Sequence, residues 1–399
     1  MKITFFLIAF CLVFVRLYLG WTGHWGNDNN DGTMTIRNGD EDLEIKWSGK
    51  VRLNNDETAV ESITPGGFLK FKHNDEKFAA ESNIQGEISY TMYDGSEQLI
   101  LDEKGKKFLA NAIHEMIELG YDAQGRMNRI YGKAGNKGLL AEVEKFKDDN
   151  LKGMYIDRLL KSDSLSKEEQ LALVKQIGGL NADYQKENFL RRFTADQLKD
   201  STLLQAWLRA VGPMGGETEK SNLLRYLIAR DTVVSRQVFD QILDLAEHFN
   251  ADWEKQNLLS QLIKRDTIPS NRIDQLLIVI GQFGDDHTKA DLLSGLIDKD
   301  SLSTDHFNSL LGVVDHFGND WEKQNLYKKL IARNRLTEEQ WTGLIDQIAH
   351  IGSDFDKSNF LVEVARKMPK TENLKSAYLH AAKTINDDSQ YGKTLRAVE

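Results

Sequence analysis

Apolar residues return along this chain in two rhythms. From about Thr33 to Met92 the period is two: Leu43, Ile45 and Trp47 alternate with charged residues, as do Leu69 and Phe71, and then Ile88, Tyr90 and Met92. Such alternation marks strands with one buried face. Breakers stand between them at Asn38-Gly39-Asp40, Asn54-Asn55-Asp56, Pro65-Gly66-Gly67, Asn74-Asp75 and Asp94-Gly95, which predicts an antiparallel meander of four to six strands. About sixty residues make a marginal core alone, so the apolar face is expected to pack on the first helices.

From Lys104 the period becomes helical. Phe108, Leu109, Ile113, Met116 and Ile117 form one stripe that Gly120 ends; a shorter pair follows around Met127 to Tyr131 and Leu139 to Phe146. A phrase then recurs: an acidic residue, an aromatic, any residue, Lys, any residue, Asn and two apolar residues. It is clearest at Asp252-Trp253-Glu254-Lys255-Gln256-Asn257-Leu258-Leu259 and Asp320-Trp321-Glu322-Lys323-Gln324-Asn325-Leu326-Tyr327. The acidic position falls at Asp149, Asp183, Glu217, Asp252, Asp286, Asp320, Asp354 and Asp388, at intervals of 34 or 35 residues. Self-similarity at this period predicts helix-pair repeats that bury a face only against their neighbours, an α-α solenoid.

Within a repeat the acidic residue reads as the N-cap of a first helix, and Gly or Asn two positions earlier (Asn181, Asn250, Gly318, Gly352) as a left-handed end to the helix before. Apolar residues such as Leu258, Leu259, Leu262 and Ile263 form the stripe of the first helix. Capping boxes at Ser166/Glu169 and Thr337/Gln340 open second helices, whose core positions repeat as Phe239, Ile242, Leu243, Ala246, Phe249 and again as Phe307, Leu310, Leu311, Val314, Phe317.

The N-terminus reads as an export signal: Lys2 precedes the uncharged run Ile3 to Val15. Two alternatives remain open there, a cleaved signal peptide and an uncleaved anchor over residues 3–19 with Arg16 at the headgroups. The domain map is therefore signal or anchor over 1–20, linker over 21–33, β module over 34–100 and helical repeats over 101–399, in an exported, periplasmic or cell-envelope protein. Net charge is −10, and −12 without Lys2 and Arg16, which argues against nucleic acid as the main partner. The single cysteine, Cys11, lies in the N-terminal run, so the remainder forms no internal disulfide and no cysteine-ligated metal site.

Motifs for chemistry are incomplete. His114-Glu115-Met116-Ile117-Glu118 has Glu where a zinc peptidase helix needs a second His. Asn27-Asp28-Asn29-Asn30-Asp31-Gly32 lacks the bidentate Glu of a calcium loop, with Asn38 in its place. His248, His316 and His350 share a repeat position near a helix C-terminus, where the dipole favours them. No catalytic residue, metal or cofactor is assigned.

Two repeat positions break local rules. Lys152, Lys186, Lys220, Lys255, Lys289, Lys323 and Lys357 sit in the first helical turn, where the dipole disfavours a cation; they form either a structural row paired with the repeat carboxylates or an anion-binding row. The Asn at the sixth position, Asn188, Asn222, Asn257, Asn325 and Asn359, lies nearly opposite the apolar stripe, beside the aromatics Tyr184, Trp253, Trp321 and Phe355. Either each Asn bonds the turn of a neighbouring repeat, or Asn and aromatic together line a groove for extended peptide. These nine residues are the candidate ligand-binding set.

The repeat phrase, following a strand module with the Pro-Gly-Gly turn Ile63-Thr64-Pro65-Gly66-Gly67-Phe68-Leu69, resembles helical repeats of exported bacterial proteins. It is similar to the extracytoplasmic region of some BlaR/MecR-type sensor metallopeptidases over about Thr33 to Glu399. The peptidase segment itself is not in this sequence, so the resemblance transfers no catalytic residue. The leading expectation is an exported, non-enzymatic scaffold that binds protein or peptide through the solenoid; the alternative, which the resemblance implies, is a sensor or regulatory module beside a membrane-embedded peptidase.

Overall fold

A computed structural model of the 399-residue chain describes residues 31–38, 41–162, 164–230, 236–265, 268–299, 302–333 and 336–399. The N-terminal apolar run, Cys11 and residues 27–30 of the calcium-like loop lie outside the described residues, and with them the expectation of a signal or anchor. Among the described residues no helix is long and apolar enough to cross a membrane. The chain divides into two compact units, residues 1–169 and 170–399.

The first unit contains β1 (Gly32–Asn38), β2 (Glu41–Ser48), β3 (Val51–Leu53), β4 (Val60–Ile63), β5 (Phe68–His73), β6 (Glu76–Ser82), β7 (Ile88–Asp94) and β8 (Glu97–Leu99). Six form one antiparallel sheet in the order β1-β2-β5-β6-β7-β8, and β3 pairs with β4 as a separate ribbon. The meander is thus richer than the four to six strands that the alternation predicts. The three- and four-residue strands of the ribbon are too short to show a period. Gly66, at φ 80°, supplies the left-handed residue of the Pro-Gly-Gly turn between β4 and β5.

Ile45, Leu69, Phe71, Phe78 and Met92 on the inner face pack with Leu109, Ile113, Met116 and Ile117 of α1 (Glu103–Glu118) in one core. The sheet and the first helix therefore belong to one compact unit, whose boundary falls well beyond the change from strand to helix. α2 (Ala123–Val143) is broken at Gly135 (φ 61°, ψ −151°) into the two shorter segments that the apolar pattern suggests. α3 (Asp149–Leu160) follows, and α4 (Lys167–Gly178) is opened by the expected Ser166/Glu169 box.

The second unit is a helical-repeat array. Its first helices are α5 (Asp183–Leu190), α8 (Glu217–Ile228), α10 (Asp252–Lys264), α12 (Asp286–Ile297), α14 (Asp320–Ala332), α16 (Asp354–Lys367) and α18 (Asp388–Val398), each packed on the next. The alternate elements are α6 (Ala195–Leu198), α7 (Ser201–Val211), α9 (Arg236–Glu247), α11 (Ile273–Gly281), α13 (Thr304–Asp315), α15 (Glu338–Ala349) and α17 (Glu372–Ala382). From α11 onward these also pack in sequence, as a second layer. The residues of the apolar stripes, including Leu258, Leu259, Leu262, Ile242, Phe239 and Phe307, are buried, which is where the hydrophobic stabilisation of the array resides.

The ends of the first helices correct the expected caps. Ala182, Gly216, Ala251, Asp285, Asn319, Ser353 and Asp387 occupy the N-cap, and the recurring acidic residue is the first helical residue. Its carboxylate reaches to the following repeat instead. Asp183 accepts from the Gly216 N–H at 2.7 Å. Glu217 accepts from Asn250 and Ala251 at 2.9 and 2.7 Å, Asp286 from Gly318 and Asn319 at 2.8 and 2.9 Å, and Asp354 from Asn386 and Asp387 at 2.9 Å each. Asn181, Asn250, Gly318 and Gly352 are not left-handed. Asn250 and Gly318 serve as N–H donors to the previous repeat's acid, a role that needs no positive φ.

At the opposite end of the same helices, basic residues close the carbonyls. Arg265 donates to the Ile228 carbonyl at 3.3 Å, Lys299 to that of Arg265 at 2.8 Å, and Arg333 to that of Ile297 at 2.9 Å. Anionic groups at N-termini and cationic groups at C-termini complement the helix dipoles.

Substitution of Glu217, Asp286 or Asp354 by Ala is expected to lower stability by about 1 kcal/mol in urea melts, through lost charge-assisted bonds on a partly screened surface. Asp252 and Asp320 make no such bond among the described residues, and their Ala variants are expected to stay within about 0.5 kcal/mol of the parent.

Acid will reproduce the effect. The Asn250 N–H holds the Glu217 carboxyl below its usual range. At Asp183 and Asp286 partial burial pushes upward, but the Lys186 and Lys289 ammoniums and the next repeat's N–H groups outweigh it. A depressed carboxyl contributes stability that is complete above its unfolded value and lost as pH falls through the folded one. Thermal melts below about pH 4.5 are therefore expected to fall more steeply for the parent than for the Asp286→Ala variant.

Candidate functional site

The candidate residues lie on the outer side of the first-helix layer. Tyr184, Trp253, Trp321 and Phe355 are 57%, 68%, 64% and 60% exposed, on helices whose other large apolar residues are almost all buried. They stand at the second position of α5, α10, α14 and α16, with Thr218 of α8 and His287 of α12 filling the intervening places. First helices spaced about 8–10 Å apart set Trp253 and Trp321 roughly two such spacings from each other.

The asparagines follow one helical turn later. Asn188 is exposed, whereas Asn222, Asn257, Asn325 and Asn359 are half-buried. None bonds the turn of a neighbouring repeat; on α5, α8 and α16 that N–H is taken by the repeat acid. Asn222 accepts from Arg225 Nη2 at 2.5 Å within its own helix, and Asn359 accepts from Lys393 Nζ of α18 at 2.6 Å. Asn188, Asn257 and Asn325 form no hydrogen bond among the described residues.

The lysine row is internal to the fold. Lys186 and Lys289 lie 2.9 and 3.0 Å from the carboxylates of Asp183 and Asp286. Lys323 donates to the Asp315 carbonyl at 2.9 Å and Lys357 to that of Thr384 at 3.0 Å. The ammoniums of Lys220, Lys255 and Lys289 stand 5.8, 5.8 and 5.6 Å from the rings of Phe249, Phe283 and Phe317. Carboxylate, carbonyl and aromatic face together offset the unfavourable helix dipole.

His287 interrupts the aromatic row with a charged contact. Its Nδ1 lies 2.7 Å from Glu322 Oε1 and its Nε2 3.8 Å from Asp291. The Glu322 hydrogen bond, then the Asp291 and Asp285 charges, hold the imidazole above its ordinary range. Glu254, the counterpart of Glu322 on α10, has no such partner, and its buried Oε2 is unsatisfied among the described residues. Of the repeated histidines, His248 and His316 bond through Nδ1 to the Asp244 and Gly312 carbonyls at 2.7 Å, a local helix-end role.

A second concentration of charge, in the first unit, escapes sequence reading. Arg129 bridges Glu57 at 2.9 Å and Asp122 at 2.7 Å, and Arg126 bridges Glu142 at 2.8 Å. Glu57 and Asp122 are left-handed, at φ 58° and 52°. Burial raises the Asp122 carboxyl, against the pull of Arg129. The network ties the β3–β4 loop to α2. Loop residues carry no period, so only the non-glycine composition of Asn55-Asp56-Glu57 hints at it. Among the described residues no group of three or more His, Cys, Asp or Glu side chains is placed to hold a metal ion.

No family model and no curated protein matches this chain. A solved structure from the computational design of self-assembling cyclic protein homooligomers is 10% identical, over 71% of this chain and 93% of that one, with a TM-score of 0.12. A superposition that slight establishes no shared fold.

Because Asn257 and Asn325 satisfy no other group among the described residues, changing both to Ala is expected to leave the melting temperature unchanged or slightly raised, Ala being the better helix former. A loss of about 1–3 kcal/mol per site would instead mark a buried bond. The His287 contact gives stability that is complete below the unfolded histidine value, about 6.5, and lost as pH rises through the raised folded value. Titration of the His287 ring by NMR is expected to show the raised midpoint, and Glu322→Gln to lower it.

Proposed function

We propose that the helical-repeat unit is a non-enzymatic scaffold that binds an extended polypeptide across its first-helix layer. One observation carries this reading. Four aromatic side chains, each more than half exposed, recur at a single repeat position. Isolated exposed aromatics are ordinary, but a row of them on one face is the composition of a recognition surface. The asparagines one turn away suit the same ligand, since an amide side chain offers both a donor and an acceptor to the N–H and C=O of an extended strand. With repeats about 10 Å apart and a strand rising about 3.4 Å per residue, one Asn meets roughly every third residue.

The setting we propose is the cell envelope, supported by Lys2 and the uncharged run Ile3 to Val15. The partner is protein or peptide, and the scaffold itself needs no cofactor.

A random peptide library displayed on phage and panned on the full chain tests the proposal. Recovered peptides are expected to bind the Trp253→Ala and Trp321→Ala variants about tenfold more weakly each, as loss of a buried aromatic contact implies. They are expected to lose further affinity with Asn257→Ala and Asn325→Ala. Peptides that bind all four variants as well as the parent would place recognition elsewhere.

A further inference from the structure

The outer face of the six-stranded sheet reverses the charge of the molecule. Because Ile45, Leu69, Phe71, Phe78 and Met92 point into the core, the residues between them point away. Lys46 of β2, Lys70 and Lys72 of β5, and Lys77 of β6 therefore share the opposite face. In the register Lys46 is directly opposite Lys70, and Lys72 is directly opposite Lys77. Like charges in directly opposed positions destabilise a sheet. Lysines often guard sheet edges, but β2, β5 and β6 are interior strands, so that explanation does not apply.

The lysines surround a depression of about 300 Å³. Ala79, opposite Lys70 on one side and Thr91 on the other, leaves the space, and Tyr93 stands opposite Lys77. Three carboxylates partly balance the charge: Glu44 lies 2.8 Å from Lys46, Glu81 2.8 Å from Lys70, and Asp42 contacts Lys72. Lys77 has no carboxylate partner among the described residues. Surface pairs of this kind are worth about 0–1 kcal/mol, so a ligand of higher charge density can displace them.

We infer that this face is a binding site for a phosphate group. Lysine ammoniums act as point charges that meet a phosphate without the fork geometry arginine imposes. The Thr91 and Tyr93 hydroxyls add donors. Strands about 4.8 Å apart bring lysines of β2, β5 and β6 within reach of one group. The site is independent of the peptide-binding face of the second unit.

The shared chemistry has two sources, free phosphate or a phospholipid headgroup, and two probes separate them. The full chain is titrated with inorganic phosphate, following lysine side-chain NMR signals, and is sedimented with vesicles of phosphatidylglycerol and phosphatidylcholine in equal parts or of phosphatidylcholine alone. The Lys72→Gln/Lys77→Gln variant is expected to lose about tenfold in affinity for whichever phosphate probe binds, while the Lys175→Gln variant keeps the parent value. A response to free phosphate alone assigns a soluble ligand. A gain specific to phosphatidylglycerol vesicles assigns a headgroup, since insertion of the N-terminal apolar run would occur on both lipids. No response to either probe, an undiminished double variant, or equal binding of polyglutamate overturns the inference. So does a lower melting temperature for Lys77→Gln, because relief of like-charge repulsion is expected to leave stability equal or higher.

Discussion

The repeat array depends on carboxylates at the heads of four of its first helices. A helix start exposes N–H groups that need acceptors, and stacking needs a bond that passes from one repeat to the next. Asp183, Glu217, Asp286 and Asp354 meet the second need directly: each accepts from the backbone that leads into the following first helix. The lysine one turn on neutralises the carboxylate without competing for that backbone. Leu, Ile and Phe packing drives association of the layers, but it is non-directional. The carboxylates set register, because a slip of one residue would leave them without donors.

The open face follows from this arrangement. No asparagine at the sixth position bonds the neighbouring turn; Asn359 meets Lys393 of the next first helix, and Asn188, Asn257 and Asn325 retain their hydrogen-bonding capacity among the described residues. The aromatic beside each lies off the apolar stripe and gains nothing from the core. On α10 and α14 the aromatic is exposed and the asparagine forms no hydrogen bond among the described residues. His287 and Asp291 replace the pair on α12 and put a titratable, charged break in the middle of the row.

The first unit follows another logic. Its sheet has one apolar face, and α1 covers it, so the strands and first helix share a core that neither would sustain alone. Two left-handed residues, Glu57 and Asp122, are held by Arg129, and that ion network joins loop to helix. The outer face, freed from packing, tolerates opposed lysines that a sheet selected only for stability would avoid.

Periodicity alone determined the class of the fold: the change from a two-residue to a helical rhythm, the 34-residue repeat, the buried positions of both helix layers and the Ser166 and Thr337 capping boxes were all legible, because burial of a helix or strand face repeats with the backbone's own geometry. Sequence spacing also brought the aromatic and asparagine rows to one face. It did not determine where polar groups find partners. The acidic residue has an N-capping chemistry in any sequence, and only the stacked repeats put another chain segment's N–H groups nearer than its own. The β3–β4 ribbon, the Glu57–Arg129–Asp122 network and the lysine-lined depression were likewise decided by tertiary structure, since each joins residues from separate strands, loops or helices whose proximity no local period encodes.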